Sequence, residues 1–137
     1  MAYWLVKTEP EAWSWDQQVK GGRTNWDGVR NHQAANNLKA MKKGDLAFFY
    51  HSGEERQVVG IVRVSGEHRP DPKDATGKFV MVEMETVGPA KTPVTLARIK
   101  AEPRLADMVL VKNARLSVQP VDAAQWKLVC RIAGIKA

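Results

Sequence analysis

A single cysteine, Cys130, is all the thiol chemistry this chain has. It can form no intramolecular disulfide and no cysteine-built zinc site. Its place in an apolar C-terminal stretch marks it as a small core residue rather than a nucleophile. Histidine is also scarce: His32, His51 and His68 stand apart without metal-ligand spacing, so neither metal nor cofactor is expected. No apolar run approaches the ~20 residues of a membrane span. The opening MAYWLVKTEPE lacks a basic region followed by a long apolar run, so no signal peptide and no membrane partner is expected. The expected location is the cytoplasm, or the nucleus in a eukaryote. The signatures GxGxxG, GxxxxGK, HExxH, GxSxG and CxxC are missing, which removes the common local signs of nucleotide-loop, metalloprotease, hydrolase and redox chemistry.

What is present is the composition of a soluble globular domain. The 137 residues are 44% hydrophobic and 26% charged, enough chain for one real core, and one domain over 1–137 is expected, acting as a monomer. The net charge is +6 and is unevenly spread: from Arg98 onward there are eight Lys/Arg against three Asp/Glu. A basic surface of this kind suits nucleic acid or another polyanion. Charge alone leaves a solvated basic face equally open.

Periodicity and capping signals mix strands with short helices. Tyr3 to Lys7 predicts a first strand, ended by Pro10. Ser14 with Gln17 is a capping box, and Gly21-Gly22 a stop, so a short helix is expected between them. Arg23 to Arg30 reads as polar and irregular, with Trp26 inside it. Asn31 can cap a second helix whose Ala34, Ala35, Leu38 and Met41 keep helical spacing. Leu46–Tyr50 and Val58–Val64 predict an antiparallel pair, with Gly60 at a bulge or close approach. Glu67 to Lys78 predicts a surface loop, and the alternation from Phe79 to Val87 a further strand. Thr95 can cap a helix over Leu96–Ala101; Met108–Leu110 and Leu116–Gln119 read as short strands. Asp122 with Gln125 opens a last helix that ends at Gly134. Without a regular βαβ rhythm, this order predicts a curled, mostly antiparallel sheet with helices at its flanks, an α/β chain of the α+β type.

The candidate site lies where polar groups meet aromatics at element ends. Lys7-Thr8-Glu9-Pro10 is followed by Trp13 and Trp15, Trp26 sits in a polar run, and Phe49-Tyr50-His51-Ser52 closes a strand. Planar side chains offer stacking faces, worth ~1–3 kcal/mol per base, while Thr, Asn and Ser offer donors and acceptors for a base edge. Trp4, Trp13 and Trp126 read as core or staple residues. For Trp26, core and pocket both stay open.

These blocks carry a resemblance. Tyr3 to Pro10, Trp26-Asp27-Gly28-Val29-Arg30-Asn31 with Gln33-Ala34 and Asn37-Leu38, Lys43-Gly44-Asp45 with Phe49 to Ser52, and Arg115 to Val121 with Trp126 resemble, in order, the segments of EVE-domain proteins. The resemblance implies a PUA-like pseudobarrel, related to YTH and ASCH domains, with a five- or six-stranded, mostly antiparallel curled sheet flanked by short helices. It also implies a pocket that takes up a modified, for example methylated, base of DNA or RNA. By position, Trp26 would be the aromatic wall, and Lys7, Thr8, Glu9 and Pro10 the floor. Asn31, Tyr50, His51 and Ser52 would line the opposite side. Arg30, Arg115, Ser117 and Gln119 would stand at the rim near phosphates. The sequence departs from many relatives in a short segment, 71–79, whose one aromatic is Phe79, which puts a second cage wall in question. Two other functions stay in view. One is a nucleotide-acting hydrolase or ribonuclease of ASCH-like type using Lys7, Glu9 and His51. The other is a module for free nucleotides or other small molecules.

Overall fold

The structure, a computed structural model, describes residues 1–135. In chain order its elements are β1 (Tyr3–Thr8), α1 (Trp15–Gly21), β2 (Arg23–Trp26), α2 (His32–Ala40), β3 (Leu46–His51), β4 (Gln57–Pro70) and β5 (Val80–Thr95), then α3 (Leu96–Lys100), a 3-10 turn (Pro103–Leu105), α4 (Val109–Lys112), β6 (Val118–Val121) and α5 (Ala123–Ala133). The strands form a six-stranded sheet in the order β2-β5-β4-β3-β1-β6. β1 and β3 run parallel; the other neighbours are antiparallel. The curled, mostly antiparallel sheet with flanking helices is therefore the architecture found.

Period-two alternation splits the apolar residues between two cores, one on each face. Trp4, Val6, Phe49 and Val82 join Trp26, Ala34 and Leu38 on one side. Leu5, Phe48, Tyr50 and Ile61 join Leu105, Trp126 and Val129 on the other. β3 is buried from Ala47 to His51 because both its faces are covered. On the second face Trp126 stacks on Phe48 with ring centroids 3.9 Å apart and on Tyr3 at 4.7 Å.

Local signals set the helices. Both capping boxes are complete: Ser14 and Gln17 exchange side-chain bonds with each other's backbone N–H, as do Asp122 and Gln125. α1 stops at Gly22 with φ +76° and α5 at Gly134 with φ +73°, a backbone region that disfavours other residues. Gly60 is a close approach: a Cβ there would lie 2.4 Å from the Trp15 ring, beside a register shift in the β4–β5 pairing.

Three expectations are corrected. Arg23–Trp26 is not irregular but forms edge strand β2, paired with Val82–Glu85 of β5. Its pattern is too short to declare itself, and its partners lie some sixty residues away. Met108–Leu110 is not a strand; Val109–Lys112 is one helical turn whose amides at Val111 and Lys112 bond to the Met108 carbonyl. Burial of Leu110 and Met108 in the second core overrides the β preference of two valines. Glu67–Lys78 is not wholly loop: β4 runs through Pro70, leaving the connection 71–79.

Candidate functional site

At the ends of β1 and β2 lies an open cleft of about 640 Å³, within the size range of small-molecule and base pockets. One wall is the end of β2 and the loop after it, Thr24 to Arg30. The facing wall is the end of β1 and the turn beyond, with Lys7, Thr8, Ala12 and Trp13. Lys73 enters from the β4–β5 connection and Ser117 from the turn before β6.

Each wall is fixed from behind. The turn after β1 closes by hydrogen bonds from the Ala12 and Trp13 backbone N–H groups to the Glu9 carbonyl, and the Thr8 hydroxyl donates to the Trp13 carbonyl at 3.0 Å. The Trp13 indole N–H donates to Gln18 Oε1 at 2.9 Å, and Gln18 is itself buried and hydrogen-bonded to Thr86. That bond orients the half-buried Trp13 ring. Trp26 stands edge-on to Phe49 at 5.5 Å and is only 7% exposed, yet it still lines the cleft. The polar run around it supplies few local packing partners; Phe49 of β3 packs against it from a distance, within a core that also takes in residues of β1 and α2.

The loop carrying Trp26 is clasped to the 71–79 connection. Asp71 is buried; its Oδ2 accepts from the Gly28 N–H at 2.9 Å and from Arg30 Nη1 at 3.0 Å, and its Oδ1 from the Lys73 N–H at 2.9 Å. Burial pushes this carboxyl upward, but the three hydrogen bonds and the Arg30 charge outweigh it and hold its pKa below the usual value. Lys73 Nζ pairs with Asp27 at 3.1 Å across the same gap. Opposite, the Lys7 ammonium donates to the Ala114 carbonyl, and burial pushes its pKa down. Lys7 borders the cleft, but its ammonium lies over the Tyr50 ring, 5.6 Å from the centroid, on the face of the second core. The other charged residues lining the cleft are Arg30 and Lys73 against Asp27.

Of the residues singled out in the sequence, Lys7, Thr8, Trp26, Arg30 and Ser117 meet at this cleft. The others stand elsewhere. Glu9 and Pro10 lie in the turn beyond Thr8. Asn31 spends its side chain on the Ala34 N–H, capping α2. Tyr50 points to the second core, on the opposite face of the sheet from Trp26. His51 Nε2 accepts the Trp15 N–H at 2.9 Å, which puts the ring proton on Nδ1, bonded to Glu55 at 2.9 Å; both ring nitrogens are occupied. Ser52 ties its N–H to the Thr8 carbonyl. Arg115 is exposed on the turn between Ala114 and Ser117. Gln119 is fully buried, donating to the Leu116 carbonyl, and its Oε1 has no hydrogen-bond partner among the described residues.

Trp13, expected as a core or staple residue, is instead half-buried and lines the cleft. With it stand residues not singled out: Ala12, Thr24, Asn25, Asp27, Gly28, Val29 and Lys73. Asp27 to Val29 lay inside a quoted block, and Thr24 follows once β2 is a strand. Lys73 had no local signal. Chemically, the cleft offers two indole faces, hydroxyl groups, one carboxylate and cationic side chains. Among the described residues no cluster of His, Cys, Asp or Glu is arranged to hold a metal ion. Cys130 is buried, with its thiol pushed up to about 11.

Comparison with known proteins agrees with this architecture. A solved structure of Rpa0253 from Rhodopseudomonas palustris is 59% identical, covers 98% of this chain and 94% of its own, and superposes with a TM-score of 0.93. Human thymocyte nuclear protein 1 is 32% identical over 93% of this chain and 72% of its own length. The crystal structure of human THYN1 protein in complex with 5-methylcytosine containing DNA is 31% identical, covers all of both chains and has a TM-score of 0.87. The YTH domain of Zygosaccharomyces rouxii MRB1, solved with N6-methyladenosine RNA, shares the fold at 15% identity, covering 96% of this chain and 86% of its own with a TM-score of 0.61. The EVE domain model matches residues 2–132, so this chain belongs to the EVE-domain family.

Proposed function

We propose that this chain is a nucleic-acid-binding module that takes a modified base, turned out of its strand, into the cleft between Trp13 and Trp26. The observation that carries this is the meeting of two indoles with Arg30 and Lys73 in one cleft of about 640 Å³. The related human protein bound to 5-methylcytosine containing DNA supports the same ligand class. Stacking on the indoles contributes ~1–3 kcal/mol per base. Thr24, Asn25, Asp27 and Ser117 supply polar groups for the base edge, and Ala12 and Val29 an apolar niche for a methyl group. Trp13 supplies a second indole, on the wall facing Trp26. Arg30, Lys73 and the exposed Arg115 are placed for flanking phosphates.

Base turning has a cost of a few kcal/mol in a duplex, so single-stranded or mispaired targets bind better. One buried methyl group contributes ~0.8 kcal/mol, or about fourfold in affinity, and a close-fitting pocket raises this to ~1–3 kcal/mol. The test is a titration of oligonucleotides carrying one 5-methylcytosine, N6-methyladenine or no modification, single- and double-stranded, with free nucleosides as controls. Preference for a modified oligonucleotide supports the proposal. Binding to free nucleoside as tight as to any oligonucleotide would instead make the chain a small-molecule module. Hydrolysis of the oligonucleotide would revive an enzymatic function, which His51 is poorly placed to serve with both ring nitrogens bonded.

A further inference from the structure

Asp71 does not line the cleft, and its side chain has no solvent exposure. A carboxylate in that position is costly unless its oxygens are satisfied. It is satisfied by two segments at once: Gly28 and Arg30 on the Trp26 loop, and Lys73 on its own connection. The connection is itself rigid, because Asp74 accepts the amides of Thr76, Lys78 and Phe79. Arg30 is held from a second side by the Phe79 ring, 5.4 Å from its guanidinium carbon. Nη1 bonds to Asp71 and to the Val29 carbonyl. Nε and Nη2 have no hydrogen-bond partner among the described residues, the side chain is 41% exposed, and Arg30 lines the cleft. A planar guanidinium anchored at Nη1 and backed by the Phe79 ring presents its Nε–Nη2 edge as a ready-made fork, which matches two phosphate oxygens.

We propose that Asp71 is a positioning residue that locks Gly28 and Arg30, so that the Nε–Nη2 edge of Arg30 grips the phosphate beside a base held in the cleft. This rests on the nucleic-acid function above and adds how that site holds its strand. Because the guanidinium is ordered before the ligand arrives, little side-chain freedom is lost on binding.

The experiment titrates a single-stranded oligonucleotide with one 5-methylcytosine against wild type, Asp71→Asn, Arg30→Gln, Arg30→Lys and the Asp71→Asn/Arg30→Gln double variant at several salt concentrations. Melting curves are recorded alongside. Asp71→Asn and Arg30→Gln are each expected to weaken binding about tenfold at low salt. Arg30→Gln should also flatten the log–log salt slope by about 0.7. The double variant should bind no more weakly than Arg30→Gln alone, since both remove one contact. Arg30→Lys should keep the slope and still lose affinity, because the charge stays and the fork is gone. Losses that simply add in the double variant would overturn the proposal, as would wild-type affinity in Arg30→Gln. If Asp71→Asn does not fold, the Arg30 pair decides: full rescue by lysine rules out a positioned fork. A wild type that binds no oligonucleotide sinks the nucleic-acid function itself. Wild-type binding left untouched by Arg30→Gln sinks this inference alone.

Discussion

Trp26 meets Phe49 edge to face, with ring centroids 5.5 Å apart and planes at 87°, so the indole that walls the cleft is also part of the core. Trp26→Ala should therefore lower stability by ~3–5 kcal/mol, the usual cost of a lost core aromatic. Base binding by the fraction that remains folded should also fall by the ~1–3 kcal/mol of a stacking face. Trp26→Phe should recover part of both. Thermal melting and oligonucleotide titration on the same three proteins check this. A folded Trp26→Ala with wild-type affinity would remove Trp26 from the site.

Trp13 separates the two effects better, because it is half-buried and held by one hydrogen bond to Gln18. Trp13→Ala should lose ~1–3 kcal/mol of stability, mainly from leaving the buried Gln18 oxygen unpaired. Its binding loss should nevertheless match that of Trp26→Ala. Unchanged affinity in a folded Trp13→Ala would leave the cleft with one aromatic wall.

Arg115 tests whether the basic charge after Arg98 meets phosphate. It is exposed on the turn whose Ala114 carbonyl receives Lys7 and whose Ser117 lines the cleft. Arg115→Ala should reduce the log–log salt slope by about 0.7 on single strands. Lys127→Ala, on α5 against the second core, should leave the slope alone. Equal effects from both would mean diffuse attraction, not a strand path past the cleft.

Acid stability follows from two buried carboxylates. Asp45 accepts the Trp4 indole N–H at 3.1 Å and the amides of Ala2 and Lys42, while Asp71 holds the clasp. Burial pushes both pKa values up, but the hydrogen bonds outweigh it, and both end below their usual values. Groups depressed by folding stabilise the native state fully above their unfolded pKa, near 3.9 for Asp, and lose that contribution as pH falls through the folded value. The melting temperature should stay flat from pH 7 to about 5 and fall below about 4. Asp45→Asn should be less stable at neutral pH and show a shallower acid drop. A melting temperature that rises below pH 4 contradicts the assignment.

Gly60 gives a prediction about the fold alone. An added Cβ would meet the Trp15 ring at 2.4 Å, so Gly60→Ala should destabilise the chain by ~1–3 kcal/mol. Gly88→Ala, where nothing lies within 4 Å of the added Cβ, is the control.

What the sequence determined by itself were features whose cause lies within a few residues. The capping boxes at Ser14 and Asp122, the stop at Gly134 and the alternation from Val80 to Glu85 are local physics, and each stands as expected. The ordered blocks also pointed to the family. What only the tertiary structure decided depended on partners far along the chain. β2 exists because β5 is there to pair with it, and the Val109–Lys112 turn is helical because Leu110 and Met108 are buried. The site was half legible for the same reason. Lys7 and Thr8 sit at the end of a strand that the pattern marked, and Trp26 stood out as an aromatic in a polar run whose strand the pattern did not mark. Strand alternation sends Tyr50 to the opposite core, and a backbone amide engages His51. Lys73 reaches the cleft, and Asp71 the loop behind it, from some forty residues away, through an ion pair to Asp27 and a buried carboxylate under Gly28. Neither contact leaves a mark on its own stretch of sequence, because a side chain's partners across a fold are set by where strands turn and pair, not by its neighbours in the chain.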